Sequence, residues 1–139
     1  MVEAGEEELE ACVEEFRRVL SRAPRRLPLE PFEAYVVRWG SFKRELARVA
    51  ASCLTRLLPR VKAVYYLELS GDDVAGRDVD LLIDIEAGQV FRREIADTAE
   101  ALLEKLARSA GFSEARGLFE VHVAGEAGRL PGRLGMRLA

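Results

Sequence analysis

Acidic residues recur at alternate positions in DVDLLIDIE, which supplies Asp78, Asp80, Asp84 and Glu86. Further on, LFEVHVAG carries Glu120 and His122 at the same two-residue spacing. On an extended chain, side chains two apart share a face and lie roughly 6.6–6.8 Å apart along the axis. Carboxylates leaning together from such positions can share or bridge ions lying roughly 3.5–4 Å apart, as in two-metal phosphoryl-transfer sites. Their hard oxygens select Mg2+ or Mn2+. Aspartate is depleted in strands, and like charges at Asp78 and Asp80 repel. A cation between them removes that cost. The competing reading is the solvated outer face of a half-covered sheet, where polar alternation is ordinary. His122 shares the Glu120 face; it either orients a phosphate beside a metal or is a half-buried strand histidine.

The elements that must position these residues follow from periodicity. Leu9, Cys12, Phe16, Val19 and Leu20 repeat at helical spacing and predict a helix over 6–21. Its glutamates at the start and arginines at the end suit the helix dipole. RAPRRLPLEP follows, with three prolines in eight residues, and reads as a connection. FEAYVVRW, residues 32–39, is ambiguous between helix and strand. SFKRELARVAASCLTRLL, residues 41–58, predicts an amphipathic helix with Ser41 as N-cap and Pro59 as its stop.

VKAVYYLELS (61–70), DVDLLIDIE (78–86) and LFEVHVAG (118–125) read as strands. VFRREIADTAEALLEKLARSA (90–110) reads as a third helix, with Phe91, Ile95, Thr98, Leu102 and Leu106 on its face and Gly111 as cap. Residues 126–139 form a glycine- and arginine-rich tail, either a short strand or an arm. The expected fold is therefore an α/β two-layer sandwich, a mixed sheet of three to four strands backed by amphipathic helices. The expected organisation is a single domain over 1–139: helix and connection over 1–30, core over 41–125, tail over 126–139. In the second strand Val79, Leu81, Ile83 and Ile85 face the helices, and Asp78, Asp80, Leu82, Asp84 and Glu86 face outward. If the third strand lies beside it, Glu120 sits next to Asp78 and Asp80.

With 139 residues and 49% hydrophobic content, the chain suffices for one domain with a sizeable core. A net charge of −3 argues against a general nucleic-acid clamp, which leaves a basic footprint. The absence of asparagine and the single glutamine fit a thermophile. No stretch approaches the ~20 apolar residues of a membrane span, and the acidic N-terminus is unlike a signal peptide. A cytoplasmic protein is expected. Cys12 and Cys53, on apolar helix faces, predict buried thiols, with a disulfide favoured only in a hyperthermophile. Two distant cysteines and one histidine make no Cys/His zinc site.

Over residues 41–125 the pattern resembles the polymerase-β-like nucleotidyltransferase superfamily, especially its minimal, single-domain members. There a helix leads to a strand ending in Gly-Ser, a loop follows, the next strand opens with Asp-x-Asp-Leu, and a later strand supplies a third acid. Here the Asp-x-Asp-Leu is DVDL, Asp78 and Asp80, and the third acid is Glu120. The resemblance implies nucleotidyl transfer from a nucleoside triphosphate to a hydroxyl acceptor on a protein or RNA. It assigns Asp78, Asp80 and Glu120 to catalysis and to Mg2+ or Mn2+, and Ser70 and Gly71 to the triphosphate. The order here is Ser-Gly, and Asp72 and Asp73 follow it in a short loop. The resemblance thus carries fold and metal site further than the phosphate grip, and a diverged or inactive member is the corresponding alternative. Two other functions remain open: a non-catalytic interaction domain, as homodimer or with a protein partner, and a metal-dependent nuclease. The nuclease lacks the Glu-x-Lys that many such enzymes carry.

Overall fold

Residues 2–25, 27–68, 79–85, 92–113, 115–123 and 133–138 are described by the computed structural model. Helical periodicity forms α1 (Val2–Leu20), α2 (Phe32–Leu57) and α3 (Arg92–Ser109). The β-branched and aromatic runs form β1 (Val61–Glu68), β2 (Val79–Ile85) and β3 (Phe119–Val123), and part of the tail forms β4 (Arg133–Arg137). The strands make one mixed sheet in the order β3-β2-β1-β4. β1 pairs antiparallel with both β2 and β4. β2 and β3 run parallel, which a tight hairpin cannot achieve; the crossover between them contains α3. The α/β two-layer sandwich expected from the sequence is the fold observed.

Three details differ from expectation. FEAYVVRW is neither separate nor a strand: it opens α2, a helix of 26 residues. The apolar stripe runs unbroken through Trp39, Phe42 and Leu46, each at most 5% exposed, with the Trp39 and Phe42 rings edge-on at 5.1 Å. Ser41 is therefore interior to the helix, and Pro31 holds the N-cap position. On α3 the buried stripe is Ala96, Ala99, Leu103, Leu106 and Ala107: Leu106 is buried as predicted, Ile95 and Leu102 pack partly buried against the core, and Thr98 is exposed. Three alanines in that stripe let the helix axis approach the sheet closely.

The third difference is covalent. Cys12 and Cys53 are a disulfide, Cα–Cα 5.9 Å, fastening α1 to α2 inside the core. Arg56 points Nη2 at both sulfurs, 3.2 and 3.4 Å away, while pairing with Glu8 and Glu15 of α1. Two thiols at helical spacing say nothing of each other; the α1–α2 crossing brings them together.

The core fills the layer between helices and sheet. Phe16 of α1 meets Phe119 of β3 at 6.0 Å between ring centroids, beside Val64, Leu81, Ile83 and Val121. The other sheet face is less open than the alternation suggests. Asp84 is exposed as expected, but Ala63, Leu67 and Leu82 are at most 6% exposed, and Asp80 only 3%. Asp78 and Glu86 lie outside the described residues, as do Ser70 and Gly71.

Two stability outcomes follow. Gly40 sits mid-helix in α2 without positive φ, and a Cβ there meets nothing within 4 Å. Gly40→Ala is expected to stabilise by about 0.5–1 kcal/mol, read as a rise of a few degrees in Tm; a fall would mean the helix is interrupted there. The disulfide spans a sequence separation of 41, a loop for which chain entropy gives about 4 kcal/mol. Reductant should therefore lower the urea midpoint sharply, and should leave a Cys12→Ala/Cys53→Ala variant unmoved.

Candidate metal centre

Asp80 and Glu120 occupy one register position on neighbouring parallel strands, and His122 lies opposite Leu82 two residues further on. Directly paired residues share a sheet face, so all three side chains project together. His122 Nε2 is 3.6 Å from Asp80 Oδ1 and 3.7 Å from Glu120 Oε1. One ligating atom from each of the three residues lies within 4.8 Å of the others. The side chains grade outward: Asp80 is 4% exposed, His122 19% and Glu120 56%.

Asp80 Oδ1 and His122 Nε2 are both shielded from solvent, and neither has a hydrogen-bond partner. At 3.6 Å they exceed a formed hydrogen bond. An unsatisfied buried polar atom costs about 1–3 kcal/mol, more when charged. Among the described residues the buried charged side chains are Lys43 and Asp80 alone, so Asp80 is not one of many. Its placement calls for a positive charge in the gap it faces, either a proton on the imidazole or a cation.

The imidazole shows that pull. The Asp80 carboxylate facing Nε2 raises the His122 pKa above the ordinary histidine value. Burial works against it, Glu120 adds to it and Arg93 subtracts from it. The attraction acts across a gap rather than through a closed hydrogen bond, since the measured separation leaves the pair apart.

α3 fixes β3 at the residue between Glu120 and His122. Val121 donates its N–H to Glu100 Oε1 at 3.0 Å, and its carbonyl accepts from Arg93 Nη2 at 2.9 Å. β3 is an edge strand, and these outward backbone groups are what an edge leaves unpaired. Glu104 accepts from Gly117 N–H just before the strand. Arg93 pairs with Asp97 as well and borders, with Glu120 and His122, a recess of about 420 Å³ at this edge.

Of the residues predicted from sequence, Asp80 and Glu120 are brought together. Asp78, Ser70 and Gly71 fall outside the described residues. Asp84, on the same face, is exposed and stands apart from the cluster. Arg93 and Glu100, which hold the Val121 backbone, were not singled out in the sequence. The available signal is that Arg93, Asp97, Glu100 and Glu104 follow one helical stripe, which marks a polar face but not its contact.

No protein family, curated protein or solved structure matches the chain.

In metal-free protein the His122 resonance, followed by NMR, should titrate above the unperturbed ~6.5, and Asp80→Asn should bring it down. A folded pKa raised above the unfolded one adds stability that is fully present below ~6.5 and is lost as pH rises through the folded value. A His122 pKa at or below the unperturbed value would contradict the arrangement.

Proposed function

We propose that this chain is a minimal nucleotidyltransferase that moves a nucleotidyl group from a nucleoside triphosphate to a hydroxyl acceptor at a divalent-cation centre. The observation that carries the reading is the shared register of Asp80 and Glu120 on adjacent strands, which the Asp-x-Asp and third-acid pattern requires. A divalent ion held there would supply neutralisation of phosphate charge and polarisation of the reacting phosphorus. Asp80, shielded from solvent, would hold the ion. Glu120 is more than half exposed, so an acceptor can reach it and its carboxylate can take the hydroxyl proton. The acceptor oxygen bonds to the α-phosphorus, the bond from that phosphorus to the β-phosphate oxygen breaks, and pyrophosphate leaves. Arg93, at the rim of the recess, adds positive charge on the phosphate side.

Incubation with α-labelled nucleoside triphosphates and, in separate arms, Mg2+, Mn2+ or Zn2+ tests the proposal. The expected outcome is labelled protein or a labelled partner, reduced at least ~100-fold by Asp80→Asn, the scale for losing a charge-stabilising group. Absence of label, together with no thermal stabilisation by triphosphate and metal, would remove the transferase reading and favour a non-catalytic interaction domain.

A further inference from the structure

The identity of the cation can be argued from the donor set. We propose that Asp80, Glu120 and His122 form a three-ligand site selective for a borderline transition ion of the Zn2+ class over Mg2+. This rests on the metal centre of the preceding reading and not on nucleotidyl transfer.

Three observations support it. First, the set mixes one imidazole nitrogen with two carboxylates. Imidazole suits Zn2+ and its neighbours in the first row, whereas Mg2+ is held by carboxylate, carbonyl and water. Second, the spacing is that of a larger polyhedron edge. Ligands about 2.0–2.1 Å from a tetrahedral Zn2+ stand roughly 3.4 Å apart, while adjacent ligands of an octahedral Mg2+ at similar lengths stand roughly 2.9 Å apart. The two separations that involve the imidazole, 3.6 and 3.7 Å, lie within a few tenths of the first value and beyond the second, and the two carboxylates lie within 4.8 Å of each other. Third, the side chains do not close on one another. A plain imidazolium–carboxylate pair contracts to about 2.7–2.9 Å. Here Nε2 stands off from both carboxylates almost equally, and Nε2 and Asp80 Oδ1 have no other partner. Two shielded donor atoms aimed into one gap are what an ion would satisfy.

Three protein ligands leave a tetrahedral ion one further position, the arrangement of catalytic rather than structural zinc. Glu120 and His122 also border the recess beside Arg93, so an oxyanion or water can take that position from the solvent side.

The test uses the full-length, untagged, chelator-treated chain. Isothermal titration and thermal denaturation are run with Zn2+, Co2+ and Mg2+ as the probes. Zn2+ should raise the Tm and bind at least ~100-fold more tightly than Mg2+, and Co2+ should give the intense visible absorption of a low-coordinate centre. His122→Ala and the surface-side Glu120→Gln should each weaken Zn2+ at least ~10-fold, on the scale of lost ligation. His122→Ala should leave Mg2+ binding unchanged. Asp84→Asn, outside the cluster, should bind Zn2+ as the parent does. Mg2+ matching Zn2+ in the parent would overturn the selectivity while leaving a metal centre. Failure of every cation to bind would overturn both. Zn2+ binding without nucleotide labelling would remove nucleotidyl transfer alone and leave this inference standing.

Discussion

A carboxyl group sits inside a β-sheet with one oxygen shielded and unpaired, and much of the site follows from holding it there. Asp80 is 3% exposed, and a buried carboxylate is tolerated only where opposite charge or hydrogen bonds offset its lost hydration. The sheet supplies two neighbours through one register. Parallel pairing sets Glu120 directly beside Asp80 and His122 beside Leu82. A slip of one residue in β3 would turn both side chains into the core and put Phe119, Val121 and Val123 outside. The apolar face of β3, each member at most 1% exposed, therefore holds the polar triad in register. Packing energy on one side of the strand fixes geometry on the other.

That strand is short and at the sheet edge, where register is least secure. α3 compensates by reaching over it. Arg93 and Glu100, two turns apart, take the carbonyl and the N–H of Val121. The alanine stripe brings the helix near enough for these side chains to reach backbone. The same Arg93 charge opposes protonation of His122, so the residue that positions the strand also biases the imidazole toward its neutral form. On the far side of the core, the disulfide and the Arg56 contacts tie α1 to α2. Restraint is thus spread across both layers of a small domain.

Much of this was legible in the residues. Alternation of Val79, Leu81 and Ile83 with Asp80 and Leu82 gave the strand and its two faces, and the helical stripes gave the layer that covers one of them. The placement of Glu120 was legible too, because it alternates with Phe119 and Val121 in the same manner. What failed to be legible was tertiary. Asp80 reads as an outward, wetted side chain, and only the packed sheet shows it buried while Asp84, on the same face, is exposed. Gly40-Ser41 looks like a helix start, and only the continuing contact of Trp39 with Phe42 shows the helix already under way. Cys12 and Cys53 look like separate buried thiols until α1 crosses α2. Such pairs persist in oxidising surroundings or inside hyperthermophiles.

The proton and the cation are alternatives for one gap, and this links the site to the stability of the fold. Without metal, charge on His122, 3.6 Å from Asp80 Oδ1, compensates the carboxylate, and it fades as pH rises through the histidine's raised pKa. A cation bound in the gap would replace that charge where the imidazole is neutral, and would contribute RT ln(1 + [L]/Kd) to the folded state, about 2.7 kcal/mol at a hundred times Kd. Deprotonation removes one stabilising charge and frees the nitrogen that such a cation would take as a ligand. Protonation of His122 and a bound cation are thus two ways of supplying the positive charge that the shielded oxygen of Asp80 faces.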